Sequence, residues 1–350
     1  MKKCLSGFVH KSVVVLAPII AFGVGFFGAS CIDNYEYKQV ENLQQEQEVI
    51  NIEPTDDGKI YNFLLLGEDV TAGLSDVIII VSCDTKNNKM CVLQIPRDTY
   101  AEYTSAAYRK MNAASDILGG GRAVANFIEE NLGIVIDYYV IVTLDLISEA
   151  VDALGGVEID VPINMFYSDP AQNLTINIKK GRQTLDGERA MQFIRYRAGY
   201  LRGDLDRLDT QKIFLSALLK KIVEKRDVFT LINLASVMLP GAESDLSCQS
   251  CIEIITSFGI PEMSNISFVT LPGEDIQGSS GAWYYIMNRQ AAYKIIKDNF
   301  SPMLEECEFD KNKKFTSFVR SGFNKIYEAE SGFDAIIYSA EQINGGVNIK

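Results

Sequence analysis

The sequence predicts an α/β fold, an α+β sandwich in which helices flank a mixed central β-sheet, preceded by one N-terminal transmembrane helix. Short apolar runs alternate with segments of helical periodicity along residues 59–300, as strands and helices do in layered folds. An uncharged run of twenty residues stands in front of them. The chain has 350 residues, of which 47% are apolar, so a sizeable core can form.

The N-terminal segment predicts a membrane anchor. Residues 1–12 carry Lys2, Lys3 and Lys11, and residues 13–32 contain no charge. A helix of twenty residues spans ~30 Å, the thickness of a bilayer core. The lysines predict a cytoplasmic N-terminus, a single pass through the cell membrane and an extracytoplasmic domain. A cleaved signal peptide would have a shorter apolar core, and a lipoprotein signal at Cys31 would lack its usual leucine, so we favour the uncleaved anchor.

The segments after the anchor follow in order. Residues 33–58 are rich in Gln and Glu, which predicts a stalk. The extracytoplasmic domain is predicted at residues 59–300, and a C-terminal tail at residues 301–350. Apolar runs predict strands at 61–67, 76–83, 90–95, 134–142, 157–161 and 266–271. Helical spacing predicts helices at 122–131, 144–154, 186–193 and 206–225, with 194–197 extended.

Charge and histidine content exclude several classes of function. The net charge of −13 argues against nucleic-acid binding, which needs a basic surface. The single histidine, His10, lies in the N-terminal segment, which excludes His-dependent triads and His-ligated zinc from the domain. A metal would therefore be held by carboxylates, which favours magnesium, calcium or manganese.

Two cysteine pairs leave a disulfide open. Cys83 and Cys91 flank the predicted turn at residues 86–89 and could meet across it. Cys248 and Cys251 form a CxxC without a second pair at zinc-ribbon spacing. Buried free thiols are the default expectation for both pairs.

The stretch RYRAGYLRGDLDRLDTQ, residues 195–211, concentrates positive charge in this acidic chain. Arg195 and Arg197 would point to the same side of an extended segment, and Arg207 and Gln211 would share one helical face. Asp204 or Asp206 could cap that helix. Arginines beside a helix N-terminus suit an anion. The alternative is a solvated loop followed by an amphipathic helix.

Six sequence blocks carry a resemblance to a known family. LLLGEDVTAGLSD, VLQIPRDTY, KMNAASDILGGG, AVDALGGVEIDVP, IKKGRQTLDGERAMQFIRYR and GDLDRLDTQ follow one another over residues 60–225. In order and spacing this motif core resembles the LytR–CpsA–Psr (LCP) proteins. The resemblance implies an LCP-like fold and a phosphotransferase that moves a glycopolymer, such as a teichoic acid or capsular polysaccharide, from a polyprenyl-pyrophosphate carrier to peptidoglycan.

The resemblance also implies roles for individual residues. Asp69 and Asp76 match an acidic pair that holds Mg²⁺, with Mn²⁺ as the alternative, or that supplies one ligand and one general base. Arg97 and Lys110 match phosphate contacts, Arg97 with a catalytic role, and Asp98 is expected to orient Arg97. The last two blocks supply the rest of the pyrophosphate site, Arg195, Arg197, Asp204, Arg207 and Gln211, and the three arginines form its clamp. Without the resemblance, turns, a strand start and surface ion pairs would explain these residues.

Three positions depart from the family pattern. Leu74 stands where an arginine is usual, Asp206 where a glycine is usual, and Thr210 where an arginine is usual. Losing an arginine that stabilises a phosphoryl transition state costs on the order of 10³–10⁵ in rate. We expect Arg109, Arg202 or another residue to compensate, or the acceptor or carrier to differ, or activity to be low.

Two other functions remain open from sequence alone. One is a hydrolase that uses water as the acceptor, and the other is a non-catalytic, regulatory protein that holds the lipid carrier. A polyprenyl chain also needs an apolar pocket. The candidates are the apolar faces of residues 123–132 and 144–154 with the strand at 134–142, although such faces are more often plain core.

Overall fold

The computed structural model describes most of the predicted domain. The described residues are 58–69, 73–103, 110–170, 174–200, 204–225, 241–247, 250, 253–254, 257–258, 261–278, 281–300 and 336–346. No helix within these ranges is long and apolar enough to cross a membrane. The predicted anchor, nearly all of the stalk and most of the tail lie outside them.

A seven-stranded sheet forms the centre of the domain. Its longer strands are β1 (Ile60–Asp69), β2 (Leu74–Asp84), β3 (Lys89–Gln94), β4 (Tyr138–Thr143) and, later in the chain, β10 (Ile266–Thr270). Two-residue strands, β9 (Glu243–Ser244) and β13 (Tyr338–Ser339), close its edges in the order β13-β10-β3-β2-β1-β4-β9. Strands β1 and β4 are parallel, as are β3 and β10, and the other pairs are antiparallel, which confirms the predicted mixed sheet.

Helices cover both faces of the sheet. On one face lie α3 (Leu144–Ala153), α4 (Gly187–Arg195) and α5 (Asp204–Lys225), packed on alternate strand residues such as Phe63 and Leu65. On the other lie α2 (Gly121–Leu132) and α6 (Arg289–Asn299), packed on Leu64 and Leu66. Successive strand side chains point to opposite faces, so burial on both faces explains the continuous apolar runs. The short helices are α1 (Ala114–Leu118) and α7 (Ala340–Asn344).

Two elements have bounds that differ from the predicted ones. The strand predicted from residue 134 begins only at Tyr138, because Arg122 donates to the carbonyls of Ile136 and Asp137 and replaces the ladder there. The extended segment predicted at 194–197 is wrong in its first half. Helix α4 continues to Arg195, and the Tyr196 N–H still donates to the Gln192 carbonyl.

Small hairpins complete the described structure. Strands β5 (Val157–Val161) and β8 (Gly181–Leu185) pair, and β6 (Met165–Asp169) pairs with β7 (Leu174–Ile178) between them. The hairpin of β11 (Gly273–Gln277) and β12 (Trp283–Met287) braces the loop after β3, since Tyr285 N–H donates to the Asp98 carbonyl at 2.8 Å.

Cys83 and Cys91 are free, buried thiols. Cys83 pairs in register with Met90, while Cys91 pairs with Ser82. The two cysteines therefore face opposite sides of the sheet and belong to different core clusters. Burial raises the pKa of the Cys91 thiol to about 11 and raises that of Cys83 further. Cys248 and Cys251 lie outside the described residues.

Candidate active site

A pocket of about 540 Å³ opens where β1 ends and β2 begins, and we call it the polar pocket because of its charged side chains. Gly67 and Glu68 come from β1 and Asp76 from β2, while Arg97 follows β3. The end of α4, the segment after it and the first turns of α5 supply Arg195, Arg197, Arg207 and Gln211, and Asn112 lines the pocket as well. Residues from the first, second, third, fifth and sixth sequence blocks thus meet in one cavity.

Asp76 lies at the centre of an arginine cluster. Its Oδ1 accepts from Arg97 Nη1 at 2.7 Å, and its Oδ2 accepts from Arg197 Nη2 at 2.7 Å. Arg207 Nη1 lies 3.5 Å from Oδ1 and its Nη2 donates to the Asp76 carbonyl at 3.2 Å. Burial opposes ionisation, but the hydrogen bond from Arg97 and the charges of Arg207 and Arg197 outweigh it. The pKa of the Asp76 carboxyl therefore lies below its ordinary value.

Asp204 is a second bridge between two of these arginines. It is the first residue of α5, and its Oδ1 lies 3.2 Å from Arg97 Nε and 2.9 Å from Arg207 Nε. The side chain of Arg207 is only 3% exposed. Burial lowers the pKa of Arg207, but a guanidinium stays charged at neutral pH. The two carboxylates thus hold Arg97 and Arg207 in fixed orientations beneath the pocket.

Lys110 and Asp98 form a separate pair beside the arginines. Lys110 Nζ donates to Asp98 Oδ1 at 2.6 Å, whereas Arg97 Nε lies 3.7 Å from Asp98 Oδ2. The prediction that Asp98 orients Arg97 is therefore corrected: its close partner is Lys110, and Asp76 and Asp204 orient Arg97. Lys110 also lies over the Tyr284 ring at 5.6 Å. It neighbours the pocket without lining it.

Different helices place Arg195, Arg197 and Gln211 in the pocket. Arg195 is the last residue of α4 and Arg197 follows the extended Tyr196, and both line the cavity. Gln211 follows Arg207 by one helical turn, as its spacing predicted. Its side chain is buried, and within the described part of the chain its Oε1 has no hydrogen-bond partner. Gln211 is therefore free to bond a ligand atom.

The carboxylates of the site are the candidate metal ligands. Glu68 lines the pocket, with one oxygen accepting from Ser75 at 3.2 Å, and Asp76 keeps 31% of its side chain exposed. Asp69 ends β1, where its backbone pairs with Leu74, and its side chain lies outside the description. No group of three or more His, Cys, Asp or Glu side chains in the described ranges is placed to hold a metal.

Comparison with known proteins decides the family. A family model described as the LytR_cpsA_psr family matches residues 28–300, more than half of the chain. The chain belongs to the LCP family. The resemblance inferred from the six sequence blocks is thereby confirmed.

The chain is similar to two named transferases and to one solved structure. The chain is 26% identical over 277 residues to the polyisoprenyl-teichoic acid–peptidoglycan teichoic acid transferase TagU of Oceanobacillus iheyensis, covering 77% of the chain and 81% of the relative. It is 30% identical over 237 residues to TagV of Bacillus subtilis, a protein with the same transferase name, covering 65% and 60%. The structure of TagT bound to LIIa-WTA is 28% identical, with a TM-score of 0.56, covering 73% of this chain and 95% of that one.

Two of the residues that depart from the LCP pattern, Leu74 and Thr210, lie at or beside the pocket. Leu74 lines the pocket as the first residue of β2, so an apolar side chain replaces the usual guanidinium there. Thr210 is buried, and its hydroxyl bonds the Asp206 carbonyl and the Tyr200 hydroxyl. Arg109 and Arg202, the predicted compensating residues, lie outside the described ranges.

An apolar cavity of about 60 Å³ adjoins the polar pocket of this LCP protein. It lies between the sheet and α5, and Gly67, Val77, Ile194 and Gln211 line both cavities. Of the faces predicted to hold lipid, α3 and β4 contribute Ile147 and Val142. The face predicted at residues 123–132 does not line this cavity, because α2 packs on the opposite face of the sheet.

Sequence reasoning missed the main wall of this apolar cavity. It is the face of α5 that carries Phe214, Leu218 and Ile222. These residues follow Arg207 and Gln211 at steps of three or four, so one helical stripe runs from the cationic end into the apolar cavity. The run IFLSALLKKI directly after the arginines was the available signal.

Proposed function

We propose that this protein is a membrane-anchored, Mg²⁺-dependent phosphotransferase that moves a glycopolymer from a polyprenyl-pyrophosphate carrier to peptidoglycan. The observation that carries the proposal is the continuity of an arginine-lined pocket with an apolar cavity through Gly67, Val77, Ile194 and Gln211. A lipid diphosphate has one strongly anionic part and one apolar part. The diphosphate suits the arginine-lined pocket, and the adjoining apolar cavity marks the side on which the chain would enter as the cavity widens. The transferase names of the TagU and TagV relatives support the same activity.

The proposed reaction exchanges the phosphoanhydride bond of the carrier for a new phosphoester bond to peptidoglycan. A peptidoglycan hydroxyl attacks the phosphorus next to the glycan, and the bond from that phosphorus to the bridging oxygen breaks. Glycan phosphate becomes linked to peptidoglycan, polyprenyl phosphate leaves with the bridging oxygen, and the hydroxyl proton goes to a carboxylate or to water. Arg97, Arg207 and Arg197 are placed to neutralise the phosphate oxygens as charge develops on them.

Asp76 is a poor candidate for the proton acceptor. Asp76 accepts from two guanidinium groups and has a lowered pKa, so it is a weak base at neutral pH. We assign Asp76 to orienting the arginines and to metal binding. Asp69 remains the proposed general base or second metal ligand.

The proposed cofactor is a divalent ion held by carboxylates. Carboxylate oxygens are the ligands that Mg²⁺ and Mn²⁺ prefer, and Asp76 and Glu68 present them in the pocket. The proposed protein ligands are Asp69 and Asp76. When bound, Mg²⁺ neutralises phosphate charge and polarises the phosphoryl oxygens.

The proposed localisation follows from the uncharged run at residues 13–32. We expect a single-pass protein of the cell membrane with a cytoplasmic N-terminus and the domain outside.

A transfer assay tests the proposed function. The purified extracytoplasmic domain is incubated with a polyprenyl-diphosphate glycan, a peptidoglycan acceptor and Mg²⁺, and the linked product is measured by mass spectrometry. We expect a phosphodiester-linked adduct that is absent when EDTA replaces Mg²⁺. Free glycan phosphate without an adduct would instead identify a hydrolase.

A non-catalytic carrier-binding protein is the second candidate. Leu74 in the pocket and Thr210 in α5 favour it, because each replaces a guanidinium. Saturable binding of the lipid diphosphate with neither adduct nor free glycan phosphate would support this candidate over the transferase.

Replacing Arg195 and Arg197 together by alanine is expected to lower the transfer rate by about 10²–10³-fold, because the pocket loses two phosphate-binding cations. The rate is measured at saturating lipid. Arg182→Ala is the matched control, since Arg182 is 63% exposed on β8, away from the pocket. Turnover retained by the double variant would rule out the clamp assignment.

A further inference from the structure

The β6–β7 hairpin supplies a wall of the polar pocket that the proposed chemistry does not use. Tyr167 and Leu174 line the same cavity as Arg195 and Arg197. Tyr167 is 41% exposed, so one part of its ring is available to a ligand. The wall is apolar although it stands beside four arginines, Arg97, Arg195, Arg197 and Arg207, and it therefore suits a ligand group other than a phosphate.

Strand register separates Tyr167 from its exposed neighbour. Tyr167 pairs with Ile176, which is 2% exposed, whereas Phe166 pairs with Asn177. Successive side chains of a strand point to opposite faces, so Tyr167 faces inward and Phe166, 54% exposed, faces outward. Phe166 does not line the pocket. The hairpin thus presents one aromatic ring to the cavity and one to solvent.

The position of Tyr167 in the cavity points to its ligand. The four residues that join the polar pocket to the apolar cavity do not include Tyr167 or Leu174. A lipid diphosphate with its chain in the apolar cavity and its phosphates at the arginines has one part left to place. That part is the sugar on the far side of the diphosphate, and the hairpin lies in the portion of the pocket outside the junction.

We propose that Tyr167 is a stacking platform for the first sugar of the lipid-linked glycan, with Leu174 beside it. A pyranose ring has an apolar C–H face that packs on an aromatic face, and tyrosine presents a large rigid surface at low entropic cost. This inference rests on the proposed function, because it takes a polyprenyl-diphosphate glycan as the ligand. Under this proposal Tyr167 selects the glycan, while other residues hold the diphosphate.

Binding measurements with two lipids test the proposal without needing turnover. Affinities are measured by calorimetry for a polyprenyl diphosphate that carries a disaccharide and for polyprenyl phosphate alone. Tyr167→Ala is expected to weaken binding of the glycan lipid about three- to tenfold, the range of an aromatic contact, and to leave polyprenyl phosphate unchanged. Tyr167→Phe keeps the ring and is expected to bind both lipids as the wild type does.

Phe166→Ala is the matched control, since it removes the adjacent aromatic ring from the other face. An equal loss of both lipids in Tyr167→Ala would contradict the sugar contact and assign the ring to the lipid or phosphate. If both variants bind liposomes more weakly than the wild type, the hairpin faces the membrane and the sugar platform is overturned. If Tyr167→Ala binds the glycan lipid as tightly as the wild type does, the sugar platform is also overturned. A selective loss in a protein that forms no transfer product would leave the sugar subsite intact and reject only the transferase.

Discussion

Arg207→Ala is expected to lower the transfer rate by about 10³–10⁵-fold, the cost of losing an arginine that stabilises a phosphoryl transition state. Arg207 is buried beneath the pocket and is held by Asp76 and Asp204, so its guanidinium is already oriented before substrate binds. Preorganised charge of this kind contributes most when it does not have to rearrange during the reaction. The rate at saturating lipid and acceptor measures the effect.

Arg207→Lys separates charge from geometry in this test. Lysine keeps the positive charge but cannot contact Asp76 and Asp204 simultaneously through a planar fork. We expect a rate between those of the wild type and Arg207→Ala, with a circular dichroism spectrum like that of the wild type. An alanine variant that keeps more than a tenth of the wild-type rate would refute the role given to Arg207.

Asp76→Asn is expected to lower the transfer rate by about 10²-fold or more and to destabilise the domain. The amide cannot balance Arg97, Arg197 and Arg207, which then repel one another, and it is a poorer metal ligand. We expect a loss of about 1–3 kcal/mol in the free energy of unfolding at pH 7, because charged hydrogen bonds are broken and partial exposure screens them. Urea unfolding at constant m-value measures the loss.

The difference in the free energy of unfolding between wild type and Asp76→Asn should fall at acidic pH. The folded-state pKa of Asp76 lies below its unfolded value near 3.9, so its contribution is present above that value. The contribution is lost progressively as the pH falls below the unfolded pKa and through the folded pKa, so the difference between wild type and Asp76→Asn should be constant near pH 7 and shrink below about pH 4. Asp160→Asn, an exposed carboxylate on β5, is the control. A difference that is independent of pH would contradict the ion-pair account.

The sheet and the order of the motifs could be predicted from local sequence. Continuous apolar runs identify strands buried on both faces, and β1, β2 and β3 lie within a few residues of their predicted bounds. The end of α4 could not be predicted, because Arg195 and Tyr196 carry no local stop signal. The start of β4 depends on Arg122, whose contacts with residues 136 and 137 arise only when the domain packs.

Pairing among charged residues was the least predictable part of the site. The sequence suggests which arginines gather near phosphate, but Asp76 and Arg197 are 121 positions apart and meet only through the order of strands and helices. Asp98 lies next to Arg97 in the chain and yet pairs closely with Lys110. The apolar wall of α5 was within reach, because its spacing continues the Arg207–Gln211 face.

A crystal structure of the extracytoplasmic domain soaked with a polyprenyl phosphate tests the central claim most directly. We expect the phosphate to lie within hydrogen-bonding distance of the Arg97 and Arg207 guanidinium groups, with the hydrocarbon chain between the sheet and α5 along Phe214 and Leu218. A head group outside the arginine pocket, or a chain lying anywhere but the apolar cavity, would contradict the account.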